Sequence, residues 1–213
     1  MSIHLIQPRT WFDSNVYVVS GERPLLVDTG TGLKVEETLQ DIDAILEGRK
    51  VTSIVLTHRH YDHVGGAWRI QLEHGSKTYM LPADAEPVRG GDSDSTLGLQ
   101  YGGKIMPMEI EDAAEGMIIS TGDHSFEVIS TPGHTVGALV LYERETGILI
   151  SGDTVFSGGV GRWDLPTGDR GALVRSLRKL LELELTDLYP GHGPVAEGKA
   201  RDQVEYALRS LGE

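Results

Sequence analysis

The chain has 213 residues, a formal net charge of −13, 39% hydrophobic residues and no cysteine; that length fits one large domain or two small ones and suffices to bury a substantial core. No apolar run reaches the roughly 18 residues needed to span a bilayer, and an acidic surface with no Lys/Arg run repels phosphate backbones, so neither a membrane nor a nucleic acid is an expected partner. Lack of cysteine excludes disulfides and thiolate ligands, and "MSIHLIQPRTWFDSN" lacks a basic-then-apolar leader, so a cytoplasmic location is expected, with His, Asp and Glu as the strong metal ligands.

In chain order, the β-branched runs "NVYVVSG" (15–21) and "PLLVDTG" (24–30) predict a hairpin. Residues 31–50 read as a helix, with Leu39, Ile42 and Leu46 at helical spacing and Gly48 at its C-terminal stop. "VTSIVLT" (51–57) predicts a strand that runs directly into "THRHYDHVGG" (57–66). A helix over 65–75 and a strand over 77–82 follow. Residues 90–103 carry five glycines without a period and read as a loop, either a cover for a pocket or, the favoured reading, a disordered connector. Strands are expected over 116–121, 125–131, 138–143 and 147–152, with "GDH" (122–124) as a hairpin turn. Amphipathic helices are expected over 172–183 and over 199–211, where Val204, Leu208 and Leu211 align. Both halves mix strands and helices, so sheets covered by helices are expected, with the strand order open.

"THRHYDHVGG" places His58, His60, Asp62 and His63 within six positions. In four further segments an apolar strand leads into a turn bearing a ligand-type residue: Asp28 in "LLVDTG", His134 in "EVISTPGHT", Asp153 in "GILISGDT" and His192 in "DLYPGHG". Loops at strand ends are where a sheet gathers residues distant in sequence. Imidazole and carboxylate ligands without thiolate suit Zn, Fe, Mn or Co. His58, His60, Asp62, His63, His134, Asp153 and His192 are too many for one tetrahedral ion and fit two if a carboxylate bridges. Asp28 either caps a turn or holds a ligand histidine. His4, His74 and His124 read as ordinary surface or core histidines.

The ordered motifs "THRHYDHVGG", "TPGHTVGALVLY", "SGDTVFSGGVGR" and "YPGHG" resemble those of the metallo-β-lactamase superfamily, over most of the chain. The resemblance implies an α/β fold, an αββα sandwich of two mixed β-sheets flanked by helices, as a single domain over 1–213. It implies His58, His60 and His134 on one ion, Asp62, His63 and His192 on a second, and Asp153 bridging, with zinc first and iron or manganese as alternatives. Within the superfamily the chain is most similar to the glyoxalase II-like hydrolases, in a short form without their C-terminal helical domain. The bridging Asp153 argues against lactamase activity.

The expected activity is hydrolysis of a small-molecule thioester such as S-D-lactoylglutathione, or a related acyl ester, by a hydroxide held between two ions. Asp62 is the expected catalytic residue besides being a ligand. Arg162, after the glycine turn, either binds a substrate carboxylate or forms an internal salt bridge with Asp164 or Asp169. The alternative activity is a persulfide dioxygenase with one iron on His58, His134 and Asp153. The sequence leaves the acyl group, the thiol carrier and the oligomeric state open.

Overall fold

The computed structural model describes residues 2–213, and the chain falls into two compact units, one running to residue 112 with 120–124, the other comprising 113–119 and 125–213.

The first unit is built on a six-stranded mixed sheet. Its strands, in spatial as in chain order, are β1 (Ile3–Ile6), β2 (Val16–Val19), β3 (Leu25–Val27), β4 (Ser53–Val55), β5 (Lys77–Met80) and β6 (Glu111–Asp112). The first three pair antiparallel, and β3 through β6 pair parallel. Parallel neighbours need crossovers. Helix α1 (Val35–Leu46) connects β3 to β4, and α2 (Tyr61–Val64) with α3 (Ala67–His74) connects β4 to β5. The expected helical stripe is the buried one: Leu39, Ile42 and Leu46 pack with Ile70 against Val18, Leu26 and Ile54. Because β3, β4 and β5 run the same way, the segments that follow Val27, Val55 and Met80 leave from one edge of the sheet.

The second unit holds β7 (Ile118–Ser120), β8 (Ser125–Ser130), β9 (Leu139–Glu143), β10 (Ile148–Gly152) and, after the ribbon of β11 (Val155–Phe156) and β12 (Gly159–Val160), β13 (Leu188–Pro190). Its sheet order is β13-β10-β9-β8-β7. β9 is antiparallel to both β8 and β10, and β13 is parallel to β10. β8, β10 and β13 therefore point the same way, and their C-terminal ends share an edge. Helices α5 (Arg170–Leu180) and α6 (Ala200–Ser210) cover one face, burying Leu173, Leu177, Val204 and Leu208 with Ile129, Val140, Tyr142 and Leu149. Asp169 caps α5 by accepting from the Ala172 amide at 2.6 Å.

Two mixed sheets flanked by helices are the architecture expected. Every residue of β2, β3, β9 and β10 is buried. The differences are local. β1 was not expected, nor was α4 (Pro82–Gly90), where Pro82 and Pro87 obscure a helix that opens on proline at its first position. The 90–103 segment departs from the disordered-connector reading. The Tyr61 amide donates to Thr96 O at 2.8 Å, residues Gly98–Tyr101 form a 3-10 turn, and Gly103 lies flat on the Tyr61 ring, where a Cβ would come within 2.0 Å of Cζ. Among the described residues no helix is long and apolar enough to cross a membrane.

Candidate metal centre

The first unit brings together the four ligand-type residues of "THRHYDH". After β4 the chain bends over residues 57–59 and is extended again at His60, so that the His58 and His60 rings approach each other while the Arg59 side chain goes to Asp84. His58 Nε2 and His60 Nδ1 lie 3.1 Å apart. His60 then stands at the N-terminal end of the one-turn helix α2, which carries Asp62 and His63, with Asp62 Oδ2 3.6 Å from His63 Nε2.

Hydrogen bonds fix which nitrogen each imidazole presents. Asp28, at the end of β3, accepts the Thr57 amide and the Thr57 hydroxyl, both at 2.8 Å, and His63 Nδ1 at 2.7 Å. The single hydroxyl proton of Thr57 is committed to Asp28, so Thr57 Oγ1 accepts from His58 Nδ1, 3.1 Å away. One buried carboxylate thus aims His63 directly and His58 through Thr57, turning each Nε2 toward another ligand-type residue, His60 for His58 and Asp62 for His63. Asp28 has a left-handed backbone, φ 58°, held by its amide bond to Val55 O. Of the two readings open for Asp28, the structure realises the one in which it holds a ligand-type histidine.

The second unit brings together the other three residues. His134, Asp153 and His192 follow β8, β10 and β13, the three co-directional strands. Asp153 Oδ2 lies 3.5 Å from His134 Nε2 and 3.6 Å from His192 Nε2. His134 is mostly buried, and its Nδ1 donates to the Arg162 carbonyl at 2.7 Å, which turns Nε2 toward Asp153.

The surrounding turns are fitted to this placement. Gly133 takes φ 146° and packs against Leu173 of α5, where a Cβ would approach to 2.4 Å. Ser176 anchors Pro132 O at 2.8 Å, and the Asp169 amide holds Gly133 O at 2.8 Å. The Gly191 amide donates to Gly152 O at 2.7 Å, tying the His192 turn to the Asp153 turn. Gly161 lies so close that a Cβ would sit 1.8 Å from Asp153 O and 3.1 Å from His134 Nδ1.

These donor sets fit divalent ions. Two ligand atoms each about 2.1 Å from one tetrahedral ion are about 3.4 Å apart. The four separations above, 3.1, 3.6, 3.5 and 3.6 Å, bracket that value. All donors are imidazole nitrogens or carboxylate oxygens, the set expected for zinc, iron or manganese.

Arg162 is placed differently. Its guanidinium is exposed and forms a fork with Asp164, at 2.9 Å and 2.8 Å, and this bond holds the Asp164 carboxyl below its ordinary pKa. The salt bridge with Asp164 was one of its two expected roles; Asp169 instead caps α5. Sequence reading missed Thr57, the Arg162 carbonyl and Asp84. Thr57 lies inside the histidine motif and could have been found there, whereas a backbone carbonyl leaves no residue-type signal.

Comparison with known proteins bears directly on this arrangement. Residues 9–192 match the model of the metallo-beta-lactamase superfamily. A Methanocaldococcus jannaschii protein named "probable metallo-hydrolase" is 32% identical over 202 residues, covering 89% of this chain and 92% of that one. The hydroxyacylglutathione hydrolase GloC of Haemophilus influenzae is 30% identical over 207 residues, 91% of each chain. A protein crystallised in a di-iron-bound form superposes with a TM-score of 0.78 at 32% identity, covering 96% of this chain and 98% of that one. With the family pattern matched over most of its length and the metal-ligand residue types standing on the strand ends, this chain belongs to the metallo-beta-lactamase superfamily.

Proposed function

We propose that the chain is a metal-dependent hydrolase of a thioester, S-D-lactoylglutathione or a simpler acyl thioester or ester. In this reading His58, His60 and His134 would hold one divalent ion, Asp62, His63 and His192 would hold a second, and Asp153 would be the ligand shared between them. The supporting observation is Asp153, one of whose oxygens stands at ligand-sharing distance from both His134 and His192. The family pattern allots those two imidazoles to different ions, and the carboxylate between them suits a bridge. The named activity of the Haemophilus influenzae relative and the di-iron form of the similar structure favour the same reading.

Bound ions would supply an acidified water as nucleophile and a Lewis acid for the scissile carbonyl. The chain's own groups do the rest. Asp28 and Thr57 keep His63 and His58 in the ligand tautomer. Asp62, partly exposed beside His63, accepts and orients a proton of the attacking water. Arg162 exchanges Asp164 for a carboxylate of the substrate. The substrate is a small molecule met in the cytoplasm, with neither nucleic acid nor membrane involved.

The test is elemental analysis of protein purified without added metal, combined with thioester turnover before and after chelation. About two metals per chain and a rate that chelation abolishes and zinc, manganese or iron restores support the reading. Unchanged turnover after verified metal removal defeats it. One iron per chain with oxygen uptake on a persulfide would establish the dioxygenase instead.

A further inference from the structure

Between the two leading histidines sits Arg59, and its side chain does not join theirs. It meets Asp84 of α4, which is fully buried, while Arg59 itself is 7% exposed. Asp84 Oδ1 accepts Arg59 Nε at 2.8 Å and lies 2.7 Å from Nη2, and Asp84 Oδ2 accepts the Arg59 backbone amide at 3.0 Å. Arg59 Nη2 also donates to Ala83 O at 2.7 Å. One carboxylate thus grips both the side chain and the peptide of the residue that separates His58 from His60.

We propose that the Arg59–Asp84 pair is a positioning device for the metal centre, fixing the 58–60 backbone so that His58 Nε2 and His60 Nδ1 converge before an ion arrives. The inference rests on the hydrolase reading above. The two imidazole nitrogens stand 3.1 Å apart, a spacing that suits two ligands of one cation. Without a restraint, the bent 58–60 segment would be free to rotate a peptide and would have to be reorganised each time metal binds. Asp28 and Thr57 restrain the rings of His58 and His63. The backbone that carries His58 and His60 is restrained by Asp84. A buried, hydrogen-bonded ion pair is suited to this task, because breaking one partner leaves an uncompensated charge, so the pair opens rarely. Arginine is required rather than lysine, since the bond through Nε and the second one through Nη2 to Ala83 need the planar fork.

The experiment measures metal affinity of the folded protein by competition with a chromogenic zinc chelator, alongside thermal unfolding of the metal-free form. Three variants are compared with the natural chain: Arg59→Lys, Asp84→Asn, and the double replacement Arg59→Met with Asp84→Leu. The double variant removes both charges together and is the one expected to stay folded if single changes unfold the chain. Outer partners of metal ligands typically change affinity 10- to 100-fold. All folded variants, the double one included, are expected to bind zinc at least about 10-fold more weakly than the natural chain. A double variant whose metal-free form melts as the natural chain does, yet which binds zinc more weakly, distinguishes positioning from plain structural support. Unchanged zinc affinity in folded variants, with only the melting temperature lowered, overturns the inference. If the natural chain itself binds no metal, the hydrolase reading fails instead, so the two failures are distinguishable.

Discussion

Asp28 organises more of the candidate centre than any of the expected ligands. Its carboxylate serves the Thr57 amide, the Thr57 hydroxyl and His63 at once. Asp28→Ala should leave the buried Thr57 amide without its acceptor, at a cost of about 1–3 kcal/mol. It should also free His63 to rotate, lowering metal affinity roughly 10- to 100-fold; titration with zinc against a competing chelator checks this, and an unchanged affinity would show that His63 needs no such support. His192 separates the two enzymatic readings. If it holds a second ion, His192→Ala should lower metal content from about two per chain toward one and hydrolysis should fall steeply. Retention of full metal content and full rate would mean the two-ion assignment is wrong. For Arg162 the prediction runs the other way. Its pair with Asp164 is exposed and screened by solvent, so Arg162→Ala should barely move the melting temperature. A lost charge-assisted substrate contact of roughly 1.5–3 kcal/mol should raise the apparent KM by an order of magnitude or more. Normal kinetics in that variant would reduce Arg162 to a surface residue whose carbonyl alone matters, through His134.

At the scale of elements, the centre depends on strand direction and on how tightly the following turns are held. β8, β10 and β13 share a direction, so three turns far apart in sequence emerge together. The ribbon β11–β12 then folds Gly161 back onto the Asp153 carbonyl and the His134 ring. There is no room for a side chain at that position. Gly161→Ala should therefore displace Asp153 or His134 and reduce bound metal, while α5 and α6, whose shared core rests mainly on Leu173, Leu177, Val204 and Leu208, keep their helicity. Circular dichroism with parallel elemental analysis tests this, and full metal content in the alanine variant would contradict the close approach. The same reasoning explains the 90–103 segment, which packs on Tyr61 and so cannot move without disturbing α2.

For the molecule as a whole, acid stability carries a signature from a histidine outside the centre. His74 closes α3, is buried, and its Nε2 finds no hydrogen-bond partner. Burial pushes its pKa below 6.5, with Lys50 adding to the effect. The unfolded chain then binds a proton that the folded chain refuses. Stability conferred by neutral His74 is full above about pH 6.5 and is lost as pH falls toward the lower folded value. His74→Gln should flatten this part of the profile: between pH 7 and 5.5 its melting temperature should fall less than that of the natural chain at equal metal content. Parallel curves would show that His74 does not contribute.

The sequence by itself determined the ligand-type residues, the strands that lead into them and the two amphipathic helices of the second unit. Strand ends, histidine spacing and glycine turns are local, and local chemistry is written in residue type. The stripe of Leu39, Ile42 and Leu46 was legible for the same reason. What only the tertiary structure decided is which groups serve those ligands. Asp84 carries no mark in "PADAEPV" that sends it to Arg59, 25 residues earlier. The bond from His134 to the Arg162 carbonyl spans 28 residues and involves no side chain of Arg162. Asp28 was readable only as one of two alternatives, because whether a turn aspartate caps its own turn or reaches a histidine 35 residues away depends on β3 lying beside β4. Strand pairing is a long-range choice, set by burial across the whole sheet, and the partners of a buried polar group follow from it.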